Sequence, residues 1–253
     1  MYKGRIISFF IFLLLQFAAS AQFKVRTLKG GSDPNNPNLI FPVFISNNKA
    51  VDKKINEYLQ EEILFSTITE TSEKKIFDEI KFIENNDSIG QSGYTNMSYT
   101  IEVNNANILS IFLEIESMGA YPTYYKQYFG FNSKNGDPLT AKALFTEEGL
   151  TEVKKILLEE RGKRIKERVN EIKADDEKQF IEDSTFIIEN FAECNMEPGE
   201  ENIFISKEAI TFYKGDCFPH VARSYDADLD IVFSNKRVEK YLSDFGKRIL
   251  FTK

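Results

Sequence analysis

The sequence predicts an α+β fold: antiparallel sheets packed against amphipathic helices, following a cleaved signal peptide. Three observations carry that expectation. Residues 1–21 have the anatomy of an export leader, residues 94–137 alternate apolar with polar side chains between turn signals, and from Thr146 the apolar spacing becomes helical. The chain has 253 residues, 42% hydrophobic and 28% charged, enough to bury a substantial core. Its formal charge of −7 argues against a phosphate-backbone ligand, so no nucleic-acid partner is expected. A single histidine, His220, rules out catalytic His pairs and metal triads built on several imidazoles.

Lys3 and Arg5 precede the apolar run Ile6–Phe17, and Ala19-Ser20-Ala21 supplies small residues for cleavage. The run is shorter than the roughly 20 residues a spanning helix needs. No Cys follows the site, so the lipoprotein route is not expected. A mature chain beginning near Gln22 loses two positive charges, which takes −7 to −9. It should be periplasmic or extracellular, with no membrane span. The expected organisation is residues 1–21 as leader, 22–93 as an N-terminal subdomain and 94–253 as a C-terminal one, together one continuous module.

Phe23–Leu28 alternates as a short strand, with Phe23, Val25 and Thr27 opposite Lys24, Arg26 and Leu28. Gly30–Asn38 is turn chemistry, and Leu39–Ile45 a second strand whose Pro42 suggests an edge or bulge. Asn47 or Asn48 can cap a helix striped by Val51, Ile55, Leu59 and Ile63. Residues 66–93 show weak helical periodicity around Ile76, Ile80 and Ile83, with a boundary expected in Asn85–Gly93.

Tyr99, Ile101 and Val103 then share a strand face, and Leu109, Ile111, Leu113 and Ile115 share the next. Ser110, Glu114 and Glu116 lie largely opposite them. A third strand, Tyr124–Phe131, ends at the Asn135-Gly136 turn. Leu150, Val153, Leu157, Ile165, Val169 and Ile172 trace a helical stripe. Glu159/Lys163 and Glu160/Arg164 are spaced to pair, and the basic cluster Lys163–Arg168 reads as a solvated face. A helix over Glu177–Phe191, strands at Ile203–Ser206, Ala209–Lys214 and Asp226–Phe233, and a helix over Arg237–Phe245 complete the chain.

Asp226, Asp228 and Asp230 open like a calcium loop, but Ile231 and Arg237 stand where Gly and Glu are required. They read as acids on the wet face of a strand, so no metal is expected, and no cofactor motif is present. Cys194 and Cys217 read equally as a disulfide of an oxidising compartment or as two buried thiols. His220 lies in a loop, Asp216–Ala222, without a nucleophile elbow, and reads as a binding residue rather than a base. Met118–Tyr125 is a small-residue turn followed by clustered tyrosines, which suit stacking on a sugar or a protein, or half-burial in a hairpin.

The order of these features resembles the extracytoplasmic domains of the RsiV/PdaC type, seen in a lysozyme-sensing anti-sigma factor and beside a peptidoglycan deacetylase domain. The likeness runs from about Leu39 to the C-terminus. It rests on Ile55-Asn56 in a helix, the strand Asn107–Ile111, the aromatic strand Tyr124–Phe131, the turn Asn135-Gly136-Asp137 and Ala141–Phe145. Met118-Gly119-Ala120-Tyr121 stands where the family has Gly-Gly-Ala-His, and Asp216–Ser224 keeps Pro219 and Ala222 of the family's proline loop. The deacetylase catalytic domain, the membrane helix and the sigma-binding segment have no counterpart. The resemblance implies a secreted α+β module that is neither an enzyme nor by itself a receptor.

The leading expectation is therefore a non-catalytic cell-envelope module binding a glycan such as peptidoglycan, or an envelope protein such as a lysozyme-like one. The alternative is a cell-wall hydrolase using His220 or a carboxylate pair. Ligand contacts are expected from two strand connections, at Gly119, Tyr121, Tyr124 and Tyr125 and at Pro219, His220 and Arg223.

Overall fold

The computed structural model describes residues 22–30, 38–64, 93–118, 122–194 and 202–251. The expected leader at residues 1–21, the segment around Ile76–Ile83 and the tip Gly119–Tyr121 lie outside the described residues.

Strands β1 (Lys24–Gly30), β2 (Leu39–Ile45), β3 (Gly93–Asn104), β4 (Ile108–Met118) and β5 (Pro122–Asn132) form one sheet in that order. It runs across the boundary expected at residue 93, where β3 begins. All its pairings are antiparallel except β2 with β3, which meet in parallel at Leu39 and Met97. The sheet is thus mixed rather than antiparallel. Helix α1 (Lys49–Leu64) lies in the connection between those two strands, and a parallel neighbour requires such a crossover. Asn48 caps α1, its Oδ1 accepting from the Ala50 and Val51 amides. Val51, Ile55, Leu59 and Ile63 are all buried against Leu109, Ile111, Leu113 and Ile115 of β4.

Pro42 is explained by what happens beside it. Beyond Leu39, β2 has no further pairing with β3, and Asn56 of α1 takes the vacated place. Its Oδ1 accepts the Phe44 N–H and its Nδ2 donates to the Phe44 carbonyl, both at 2.9 Å. Residues 42 and 44 present their backbone groups to the same side, so the N–H that Pro42 lacks falls where no strand waits. Both faces of β2 are covered, with Phe41 and Phe44 wholly buried. Leu28, opposite Phe41, is consequently buried too, contrary to simple alternation. Val103 also leaves the expected face. A bulge between Ile101 and Val103 moves it into the second core.

That second core packs helices α2 (Ala141–Leu144), α3 (Glu147–Asp175), α5 (Asn235–Val238) and α6 (Asp244–Phe251) around a smaller antiparallel sheet. Its strands are β6 (Ile203–Ile205), β7 (Ala209–Phe212) and β8 (Ile231–Ser234), in that order. The single helix expected over Arg237–Phe245 is broken into α5, a 3-10 turn and α6, and the Ser243 hydroxyl restarts it by accepting the Gly246 amide. Thr146 caps α3 by accepting from Gly149 at 2.9 Å. The α3 stripe serves two clusters. Val153 and Leu157 enter the second core, while Ile165, Val169 and Ile172 meet α4 (Glu177–Cys194) and Phe218. No helix among the described residues is long and apolar enough to cross a membrane.

Cys194, at the end of α4, is bonded to Cys217, with Cα atoms 5.4 Å apart. The bridge closes a separation of 23 residues over the cluster of Phe191, Phe218 and Ala222. Replacing both cysteines by Ser is expected to lower unfolding free energy by about 3 kcal/mol. Chemical denaturation of the two forms measures this, and equal midpoints would show that the bridge constrains nothing.

Candidate ligand groove

Because strand side chains alternate, the positions between the core residues of β3, β4 and β5 project onto the opposite face. There the register sets Asn96 beside Glu116 and Tyr124, Ser98 beside Glu114 and Lys126, and Thr100 beside Phe112 and Tyr128. Tyr124 donates its hydroxyl hydrogen to Glu116 Oε1 at 3.0 Å. Lys126 Nζ lies 2.8 Å from Glu114 Oε1 and 5.1 Å from the centre of the Phe112 ring. The Tyr128 ring packs against Phe204 at 4.9 Å and Tyr213 at 4.6 Å, which fixes the small sheet over one end of this face.

The uncovered remainder is a groove of about 730 Å³. Its floor is the polar face of β3–β5, and its far wall is formed by Tyr213, Gly215, Asp216 and residues 227–230. Gly215 has φ +56°, a left-handed conformation that turns the chain away from β7 and that a side chain would strain. Burial pushes the Tyr213 phenol up to about 12, so it stays a neutral hydrogen-bonding ring. Burial also raises the Asp230 carboxyl, against the Lys214 N–H that its Oδ1 accepts at 2.9 Å.

Three arginines on one face of α3 hold the far wall and the turn that leads into it. Arg161 is 2% exposed and donates through Nε to the Leu229 carbonyl at 3.1 Å and through Nη2 to the Phe212 carbonyl at 3.4 Å. Arg164 donates to the carbonyls of Asp228 and Asp230 at 2.8 and 3.0 Å. Arg168 donates to those of Ser224 and Tyr225. Planar guanidinium forks can satisfy several carbonyls of an irregular segment at once.

This arrangement corrects three expectations. Residues 226–230 are a loop preceding β8, not part of a strand. Their carboxylates accept backbone amides, Asp226 from Cys217, Asp228 from Asp230 and Asp230 from Lys214. The basic cluster on α3 is not simply a solvated face, since Arg164 binds this loop and Arg168 binds the turn just before it. The expected pairs also change partners. Arg164 meets Asp228, Glu160 meets Arg237, and Lys163 meets Glu167.

Of the residues expected to contact a ligand, Tyr124 is 62% exposed on the groove. Tyr125 borders it, but its ring packs against the first core. Gly119 and Tyr121 lie outside the described residues, as does the His220 side chain, whose backbone opens the 3-10 turn His220–Tyr225. Pro219 precedes that turn, and Arg223 pairs with Asp216. Neither Pro219 nor Arg223 lines the groove. The groove thus joins the first expected segment to the residues flanking the second.

Sequence reasoning missed Asn96, Ser98, Glu114, Glu116, Tyr128, Tyr213 and Asp228 as neighbours. A signal for Arg161 was present, because it sits four residues after Leu157 and four before Ile165, interrupting the apolar stripe.

No family model matches this sequence, and no curated protein does. Among solved structures, the chain is similar to a DUF3298-family protein of Bacteroides fragilis NCTC 9343, 17% identical, with a TM-score of 0.54. The match covers 92% of this chain and 97% of that one. A DUF3298-family protein of Pseudomonas aeruginosa PAO1 is 10% identical with a TM-score of 0.51, covering 90% of this chain and 96% of its own. At such identities the likeness is one of fold: an α+β architecture shared over nearly the whole length.

Proposed function

We propose that this chain is an exported, non-catalytic cell-envelope module of the RsiV/PdaC type, and that its groove binds a glycan. The groove carries the reading. It presents exposed and half-buried tyrosine rings beside amide, hydroxyl and carboxylate groups, the mixture that suits a ligand with apolar ring faces and many hydroxyls. Its carboxylates already have partners within the chain: Glu114 with Lys126, Glu116 with Tyr124, Asp216 with Arg223 and Asp228 with Arg164. Groups held in this way are fixed acceptors for hydroxyls rather than a strong net field. The disulfide supports an oxidising compartment, and the leader-like residues 1–21 support a mature start near Gln22.

A second reading, a basic envelope protein such as a lysozyme, is favoured by the formal charge of −7. Calorimetric titration of the full chain with N-acetylglucosamine tetramer and with lysozyme separates the two. The tetramer should bind, and Tyr124→Ala should weaken it about tenfold. Lys163→Ala, at an exposed residue paired only along its own helix, should leave it unchanged. Binding of lysozyme alone would replace the glycan reading with the protein one, and soluble fragments released from cell-wall material would overturn the non-catalytic claim.

A further inference from the structure

We infer that a second cleft adjoining the groove receives an anionic peptide, so that the preferred ligand is a glycan carrying an acidic peptide branch. This rests on the glycan reading of the groove.

The cleft has a volume of about 400 Å³ and lies between α1, β5, α2, α3 and β6. Tyr128 and Tyr213 line both cavities, and their half-buried rings form the divide between them. A ligand lying across those two rings reaches both cavities without a long linker.

The chemistry changes across the divide. The groove side carries carboxylates, amide and hydroxyl groups. The cleft side is bounded by Tyr58, Gly130, Leu139, Leu150 and Ile203, and its charged groups are Lys142 and Lys154. Gly130 leaves the strand surface bare there, with a side-chain position in only ordinary contact with Ile205 and Leu139. Lys126, Lys155 and Lys163 all have carboxylate partners. Among the described residues, Lys142 and Lys154 make no such pair. Glu61 and Glu62 approach Tyr58 on the α1 side, so an incoming carboxylate is steered toward the lysines of α2 and α3. Apolar walls with two ammonium groups that have no carboxylate partner among the described residues suit a short peptide of small side chains ending in carboxylates. A neutral sugar would leave those ammonium groups unused.

The test titrates the full chain with two probes, N-acetylglucosamine tetramer and a disaccharide–tetrapeptide muropeptide. Each is measured on the unaltered protein and on Lys142→Gln/Lys154→Gln, with circular dichroism as the folding check. The muropeptide should bind about fivefold more tightly than the tetramer, the size expected of two partly exposed ion pairs. The double variant should erase that advantage and leave tetramer binding unchanged. Equal binding of the two probes to the unaltered protein, or equal weakening of both by the variant, overturns the cleft assignment while the groove reading stands. Failure of both probes to bind overturns the groove reading and this inference with it.

Discussion

Arg161→Ala is expected to destabilise the protein by about 2–5 kcal/mol, because it takes the donor from two buried carbonyls, each costing roughly 1–3 kcal/mol when unsatisfied. Its guanidinium is the part of that side chain able to satisfy the carbonyls of Leu229 and Phe212, and it lies near the half-buried carboxyl of Asp230, which burial raises. Truncation leaves those carbonyls without this donor and opens a hole in the middle of α3. Because residues 227–230 are one wall of the groove, binding of N-acetylglucosamine tetramer should fall in the fraction that still folds. Urea denaturation measures the first effect. A loss below about 1 kcal/mol would mean that the wall is held by something else. Arg161→Lys should recover only part of the loss, since an ammonium cannot reproduce the planar fork.

Asn56→Leu is expected to cost about 2–5 kcal/mol. It removes both hydrogen bonds to Phe44 and strands one buried N–H and one buried carbonyl, each worth roughly 1–3 kcal/mol when unsatisfied. Asn56 is 4% exposed, so water does not readily replace it. Asn56→Asp provides the directional check. It keeps the acceptor for the Phe44 N–H, loses the donor to the carbonyl and buries a charge. Burial raises such a carboxyl above its unfolded value, so this variant should gain stability as pH falls and the acid becomes a donor again. A variant whose stability is independent of pH between the ordinary carboxylate range and neutrality would contradict the account of Asn56 as a substitute strand edge.

The two positions show what a single sequence does and does not reveal. The stripe Val51, Ile55, Leu59, Ile63 and the alternation Leu109–Ile115 are local patterns, and burial follows them directly. Asn56 was visible as part of a recognisable dipeptide, but its role depends on a strand 12 residues away losing its neighbour. The parallel pairing of β2 and β3, the bulge before Val103 and the loop at 226–230 are likewise set by tertiary partners. The groove itself is the clearest case. Glu114 and Glu116 were legible as the polar face of β4, yet nothing local shows that a second sheet, fixed through Tyr128 and Tyr213, roofs part of that face. Tyr124 was found because it belongs to a cluster of tyrosines following a small-residue turn. Arg164 and Arg168 were hidden among acids at helical spacing, where the same composition describes a solvated surface.

The most direct test of the central claim is residue-resolved mapping of the glycan by amide chemical shifts. The isotope-labelled, disulfide-bonded chain is titrated with N-acetylglucosamine tetramer. The account predicts the largest saturable changes at Asn96, Ser98, Glu114, Glu116, Tyr124, Tyr213 and Asp228, with the exposed face of α3 around Lys163 unchanged. Saturable changes confined to α3, or to Pro219–Arg223 with the groove silent, would contradict it.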